Sequence, residues 1–209
     1  MANPTFALSN PNNVNTFMGK LVGVRGRLQL DSSLNVASLN DGAVDENGPI
    51  NSATIAISAG QVLATGTGTG VHTWSANITG AGGLTKLGPG FQSLEGVTSY
   101  TGDTRVQGGW LRIESGYLAD GADVYLSTGS TFILNFAGTD SIRSLYIDGV
   151  LQSAGSWGAL DSGAQFRTAP ISDSGLLRPS IGAVPEPVSS LLMLVGLVIG
   201  AGVARARRR

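Results

Sequence analysis

Residues 82–113 read GGLTKLGPGFQSLEGVTSYTGDTRVQGGWLRI, a series of short alternating runs separated by glycine. Period-two alternation of apolar and polar side chains is typical of half-buried β-strands. Related phrases recur along the segment, with glycine, threonine and aspartate between the runs. This spacing favours the stacked coils of a β-solenoid over a sandwich, since each coil completes the backbone pairing of the next.

The surrounding chain has the same character. Between positions 60 and 129, 16 of 70 residues are glycine. Such density excludes long helices, because each interior glycine destabilises a helix by about 1 kcal/mol. We predict an all-β fold, a right-handed parallel β-helix or β-solenoid-like body. Its strand candidates outside the central segment lie at 54–58, 73–78, 124–126, 130–136 and 142–147.

Composition divides the chain into four parts. We expect an irregular N-terminal segment over 1–50, a truncated or degenerate coil, followed by the solenoid body over 51–160. Residues 161–183 are rich in Ser, Gly and Pro, which predicts a linker and leaves open a last strand at 175–178. The fourth part is 184–209. Near the end of the body, Leu145, Ile147 and Trp157 are candidates for covering the open end of the core.

The C-terminal segment 184–209 joins three unlike pieces. Pro185, Glu186 and Pro187 form a stiff tripeptide, because proline fixes φ and cannot donate a backbone hydrogen bond. Residues 188–204 carry no charge and are apolar on all sides. As a helix they would be about 25 Å long, near the lower limit for crossing a bilayer. The cations then follow in the last five positions: Arg205, Arg207, Arg208 and Arg209.

The segment therefore predicts a single transmembrane helix. Cations beside a membrane span stay on the cytoplasmic side, so the arginines would orient the C-terminus inward and everything before Pro185 outward. Two alternatives remain open on physical grounds, a permanent single-span anchor and a processing signal.

Overall composition excludes other classes. Four of the 13 basic residues are the terminal arginines, while 14 residues are acidic, so the body has no basic patch for nucleic acid. There is no cysteine, which excludes disulfides, thiolate metal sites and cysteine nucleophiles. Apolar residues make up 42% of the chain, too many for a disordered protein.

We find no motif that predicts catalysis, a metal or a cofactor. His72 is the single histidine, and a general base would need a partner that the sequence does not identify. The pair Asp120 and Asp123 is one weak copy of a calcium-type turn. Three tryptophans could stack on sugars, although core packing is the more common role: Trp74, Trp110 and Trp157.

Residues 82–113 resemble the autotransporter-associated β-strand repeat. The resemblance implies a passenger-type right-handed β-helix of an exported bacterial protein, without catalytic residues. Pro89 and Thr98 depart from the usual pattern. The residues that fit it are Leu84, Thr85, Lys86, Gly88, Gly90, Leu94, Tyr100, Thr101, Gly102, Thr104, Gly109 and Leu111.

Residues 184–209 closely resemble a PEP-CTERM sorting signal, with all three pieces in order. The resemblance implies recognition by an exosortase, a membrane-embedded transpeptidase that cuts near the motif and releases the protein to the cell surface or matrix. Pro185, Glu186 and Pro187 would then be substrate.

Together these features predict a non-enzymatic surface or extracellular-matrix protein with membrane lipid, an exosortase and an extracellular polysaccharide as expected partners. It would be in the membrane transiently and then outside. A carbohydrate-active β-helix enzyme with the same signal is the alternative, favoured by a groove with two acids within ~10 Å; a permanent anchor is another. Because residues 1–30 lack an export leader, we expect the N-terminus to be incomplete.

Overall fold

The computed structural model describes residues 5–8, 15–22, 27–40, 54–66 and 68–182. Every regular element in these residues is a β-strand, and the prediction of an all-β fold is confirmed. The first eleven strands are β1 (Thr5–Leu8), β2 (Asn15–Val22), β3 (Arg27–Leu30), β4 (Leu34–Asn40), β5 (Thr54–Ile57), β6 (Val62–Thr65), β7 (Val71–Trp74), β8 (Asn77–Gly80), β9 (Gly83–Lys86), β10 (Phe91–Leu94) and β11 (Thr98–Tyr100). The others are β12 (Thr104–Val106), β13 (Gly109–Ile113), β14 (Asp123–Leu126), β15 (Ser130–Leu134), β16 (Thr139–Ile142), β17 (Ser144–Ile147), β18 (Val150–Leu151), β19 (Trp157–Gly158), β20 (Phe166–Arg167), β21 (Ile171–Ser172) and β22 (Leu176–Pro179).

Four sheets contain these strands. Sheet A has the order β1-β3-β5-β8-β11, and sheet B has the order β18-β17-β14-β12-β9-β6-β4-β2. Sheet C is β21-β15-β13-β10-β7, and the small sheet D is β16-β22-β19-β20. From β7 onward the chain visits sheets C, A and B in turn, then repeats that path with β10, β11 and β12. Within sheets A, B and C all pairs are parallel except β17 with β18, so the architecture is β-helix-like.

Successive coils are about 20 residues long in the central part of the chain. In sheet B, Thr104 pairs with Leu84 on one side and with Val124 on the other. The amide of Val97 donates to Asn77 Oδ1, 20 residues earlier. Because register is kept from coil to coil, each position forms a straight row across a sheet.

The core lies between the sheets. Alternate strand residues point inward and exclude water, as the pleat requires. The fully buried apolar residues of the central and later coils are Trp74, Ile78, Leu84, Val106, Leu111, Ile113, Phe132, Leu134, Ile142, Leu145 and Leu177, each 0% exposed.

Two glycines of the repeat-like segment are required by the backbone. Gly109 has φ +59°, and a Cβ there would lie 2.3 Å from the carbonyl oxygen of Gly90. A Cβ on Gly102 would lie 2.6 Å from the carbonyl carbon of Gly82. Stacked coils approach so closely at these corners that any side chain would push them apart.

Two predicted boundaries differ from the structure. The single strand expected at 73–78 is divided into β7 and β8. Trp74, Ala76 and Ile78 are all buried, so the alternation continues through the corner and does not reveal it. The strand expected at 142–147 is also divided, because β16 ends at Ile142 and β17 begins at Ser144. β17 then continues into β18 as a tight hairpin, with Ile147 paired to Val150.

The terminal parts contain more strands than composition indicates. Within the expected irregular segment 1–50, strands β1 to β4 pair in sheets A and B. Within the expected linker 161–183, residues up to 182 hold β20, β21 and β22, and Ile171 and Leu177 are buried. Short strands between tight turns have the same Ser- and Gly-rich composition as a linker, which explains the difference.

The apolar stretch 188–204 and the basic tail lie outside the described residues. Among the residues that the structure does describe, no helix is long and apolar enough to cross a membrane.

Candidate functional site

The residues predicted for sorting, Pro185, Glu186, Pro187, Arg205, Arg207, Arg208 and Arg209, all lie outside the described part of the chain. Candidate chemistry within the described part is found on the outer faces of sheets B and C and at a few buried polar side chains.

The outer face of sheet B carries a row of stacked side chains, here called the tyrosine row. Arg105, Tyr125 and Tyr146 occupy the same position on three successive coils. The two phenol rings are parallel within 7°, with centroids 4.7 Å apart. The guanidinium carbon of Arg105 lies 3.8 Å from the centre of the Tyr125 ring. Both faces of Tyr125 are therefore covered, one by a cation and one by an aromatic ring.

A charged cluster lies beside the tyrosine row. Arg143 binds Asp123 through two contacts, Nε to Oδ1 at 2.7 Å and Nη2 to Oδ2 at 2.6 Å. The same Nη2 lies 3.9 Å from Oδ1 of Asp103, which also accepts the backbone N–H of Asp123 at 3.1 Å. Arg105 donates to the other oxygen of Asp103 at 2.8 Å. Two carboxylates and two guanidinium groups thus join three coils.

The charges in this cluster stabilise one another. Hydrogen bonding from Arg143 holds the pKa of Asp123 below its usual value, against an opposing effect of burial. The same contact raises the pKa of Arg143. Tyr125 donates its hydroxyl to Asp123 Oδ2 at 3.1 Å, and burial raises the pKa of Tyr125. At neutral pH Asp123 is ionised and engaged by donors.

The sequence contains a signal for this cluster in the spacing of its charged residues. Asp103, Asp123 and Arg143 follow one another at intervals of 20 residues. Asp123 contacts both of the others. Because 20 is also the coil length, that spacing alone places them in register.

Lys86 is a buried cation inside the coils. Its side chain is 0% exposed, and its Nζ donates to the carbonyl oxygens of Leu87 at 2.5 Å, Gly88 at 3.0 Å and Gly108 at 3.2 Å. Burial lowers its pKa to about 8. The ammonium group ties two successive corners together, which gives the lysine of the repeat-like segment a structural role.

Gln92 is a second buried polar side chain. It is 0% exposed, and its Oε1 accepts the amide of Leu39 at 3.0 Å and the hydroxyl of Thr65 at 3.2 Å. Its Nε2 donates back to the carbonyl of Leu39 at 3.0 Å. Both ends of the amide are satisfied within the protein, so Gln92 links coils and is unavailable to a ligand.

Asp140 is the acid with the most perturbed environment. It is 6% exposed, and burial raises its pKa to about 6. Its Oδ2 accepts the backbone N–H of Leu118 at 2.9 Å. A carboxyl group with this pKa suits proton transfer, but here it bridges two coils in the interior.

The remaining candidates from the sequence have ordinary surroundings. His72 Nδ1 lies 2.9 Å from Asn40 Oδ1. Asp120 and Asp123 belong to no group of three or more potential metal ligands among the described residues. Trp74 is buried, and Trp157 is 8% exposed and stacks on Phe166 with ring centroids 4.8 Å apart.

Trp110 is different, because it is 47% exposed where core packing was expected. It alternates with Leu111 and Ile113, both fully buried, and therefore faces outward from sheet C. Val71, Phe91 and Trp110 occupy the same position on three successive coils and are here called the tryptophan row.

The surface formed by the described residues has depressions near sheets B and D. One of 270 Å³ is lined in part by Thr85, Asp103 and Arg105, at the start of the tyrosine row. Another of 470 Å³ lies beside Asp161 and Asp173 near sheet D.

Comparison of the chain with protein-family models, with curated proteins and with solved structures found no match.

Proposed function

We propose that this chain is a non-enzymatic structural or adhesion protein of a bacterial surface or extracellular matrix, delivered there by an exosortase. The observation that carries the proposal is the order of the three pieces in 184–209: Pro185-Glu186-Pro187, an uncharged apolar stretch and a terminal arginine cluster. The apolar stretch would hold the chain in the membrane, and the arginines would keep the C-terminus inside. The tripeptide would then be accessible to the transpeptidase on the outer side.

The β-helix-like body supports a mechanical role. Parallel coils joined in register give each inner strand two neighbours, and side-chain bridges such as Lys86 and Arg143 add links between coils. We include right-handed winding in the proposal, because parallel β-strands connected through a crossover have that hand in nearly all known cases. Such a body can present its outer faces to a matrix without a moving part.

The sorting step can be tested on the native protein in a cell that has an exosortase. We expect mass spectrometry of the surface-associated protein to show loss of the residues after Pro187. In a variant with Pro185→Ala and Pro187→Ala, the chain should keep Arg209 and stay in the membrane fraction. Ser189→Ala is the matched control and should be processed like the parent.

Two results would count against the proposal. A native chain that keeps Arg209 while in the membrane would establish a permanent anchor instead. A full-length chain that stays soluble in the cytosol of such a cell would remove the surface assignment altogether.

A carbohydrate-active enzyme is the second candidate, and one observation favours it. Asp103 and Asp123 contact the same nitrogen of Arg143, so their carboxylates lie within the ~10 Å that glycoside hydrolysis allows. However, a general acid needs a raised pKa, and Arg143 lowers the pKa of Asp123. Release of reducing ends from a neutral polysaccharide, abolished by Asp123→Asn in a folded protein, would establish the enzyme.

A further inference from the structure

The tryptophan row is an apolar strip on the outer face of sheet C. Val71 is 76% exposed and Trp110 47%, and Phe91 between them is half-buried. The strip is short, because the next coil has Thr131 in the same register. The exposed side chains of Val71 and Trp110 have no part in the core, so core packing does not explain their position in one line across coils.

The aromatic rings of this row make no stacking contact with another ring among the residues that the structure describes. Within the described part of the chain, Trp110 stacks on no other ring, and its indole N–H has no partner. In the tyrosine row, by contrast, both faces of Tyr125 are occupied. The tryptophan row therefore presents free aromatic surface. In the tyrosine row the faces of Tyr125 contact residues of the neighbouring coils.

Planar polar groups lie next to the strip on the same face. Arg112 follows Trp110 by two residues and is therefore about 6.6 Å further along the strand. Its Nε contacts Glu114 Oε1 at 2.9 Å, and its terminal nitrogens have no partner in the described residues. Glu95 occupies the position corresponding to Glu114 on the preceding coil, one residue beyond the paired strands. The guanidinium of Arg112 can make paired hydrogen bonds to neighbouring hydroxyls. The oxygens of Glu114 already accept from Arg112 and from Asn135 Nδ2, and their remaining lone pairs can accept a further hydroxyl.

The size and charge of the strip indicate which class of ligand fits it. An aromatic side chain buries roughly 150–250 Å² when fully covered, and Phe91 and Trp110 are already partly covered. The strip therefore offers less than the ~800 Å² per partner of a stable protein interface. One cation, Arg112, stands beside two carboxylates, Glu95 and Glu114, which disfavours anionic lipids and anionic polymers. A neutral ligand with a flat apolar face and hydroxyl groups on its edge satisfies both the rings and the polar groups.

We propose that the tryptophan row, with Arg112 and Glu114, binds neutral pyranose units of a polysaccharide chain. The ring of Trp110 would stack on the apolar face of a sugar, and Arg112 and Glu114 would bind its hydroxyls. The coil spacing of about 4.8 Å lets Phe91 and Val71 contact the same chain. This inference rests on the proposed function, since it identifies the matrix component that the surface protein would hold.

The test uses the full chain in a zwitterionic detergent and three neutral hexasaccharides: cellohexaose, mannohexaose and chitohexaose. We expect at least one to bind with millimolar affinity by calorimetry and to shift tryptophan emission to shorter wavelength. Trp110→Thr, which copies the residue of the next coil, should weaken binding at least tenfold. Tyr146→Ala, in the tyrosine row, is the matched control and should bind normally.

The proposal is overturned if none of the three sugars binds, or if Trp110→Thr binds as tightly as the parent. Emission from the buried Trp74 reports whether each variant is folded. Should Trp110→Thr fail to fold, Arg112→Ala gives a second test, with weaker binding expected and unchanged binding contradicting the proposal. Sugar binding in detergent does not depend on sorting. If the sorting test succeeds but no sugar binds, this inference fails and the proposed function stands.

Discussion

The tyrosine row and the tryptophan row each place two aromatic residues in register on the same repeating backbone, yet they differ in what their side chains contact. Arg105, Tyr125 and Tyr146 stack on one another and lie beside a charged cluster. Phe91 and Trp110 are in register, but neither ring stacks on another within the described residues. Register alone therefore does not explain what a row of aromatic residues does. The two rows differ in whether the faces of their rings contact other groups.

A substitution in the interior beneath sheet B should cause the largest loss of stability. This loss is the reference for the smaller losses expected in the two rows. Lys86→Met keeps the length of the side chain but removes the donor from the carbonyls of Leu87, Gly88 and Gly108. Leaving buried carbonyls unsatisfied costs about 1–3 kcal/mol each, so we expect the free energy of unfolding in urea to fall by at least 2–3 kcal/mol. A change below ~0.5 kcal/mol would contradict the bridging role.

The same variant has a pH signature. The folded-state pKa of Lys86 is about 8, below its ordinary 10.5, so between these values the unfolded chain binds more protons. Stability of the parent should therefore rise as pH increases from about 8 to 10.5. Lys86→Met should lack that rise, which urea titrations at several pH values would measure.

A matched pair of substitutions compares the two rows directly. Tyr125→Ala removes a ring that is covered on both faces, and we expect a loss of about 1–2 kcal/mol. Trp110→Thr removes a half-exposed ring and places a β-branched residue in a strand, so its effect should stay within about 0.5 kcal/mol. Equal losses of stability for the two variants in thermal unfolding would contradict the distinction between the rows.

The charged cluster should give the smallest effect, and the difference between parent and variant should be present at neutral pH and shrink in acid. The pKa of Asp123 is lowered in the folded state, so its contribution is present above the ordinary value of 3.8 and is lost as pH falls through the folded pKa. We expect Arg143→Met to lower the melting temperature at pH 7 and to reduce its decline in acid. An unchanged acid profile would mean that Arg143 does not stabilise Asp123.

Local patterns in the sequence predicted the architecture because they repeat at the coil length. Gly102 and Gly109 were identified as part of a repeat, and the structure shows the close backbone approach that requires them. Leu84 and Leu111 alternate with polar neighbours and are fully buried. These features depend on residues that are close together in the chain, so a single sequence is enough to show them.

Other features depend on contacts between coils, and the sequence alone showed them less directly. The partnership of Arg143 with Asp103 and Asp123 needs the coil period, which only one clear repeat copy suggested. The exposure of Trp110 could have been predicted from its alternation with Leu111 and Ile113, but aromatic residues are so often buried that we expected it in the core. The corner after Trp74 keeps the alternation and gave no signal at all.

The pairing of β22 determines where a mechanical load would enter the body. β22 is the last described strand before the segment 184–209, and it pairs with β16 along four residues and with β19 through Leu177. If the protein is held at its C-terminal side, tension reaches this strand first. Rupture would then begin at β22 and proceed one coil at a time toward the N-terminus, so that an overloaded tether lengthens in steps while the remaining coils stay intact.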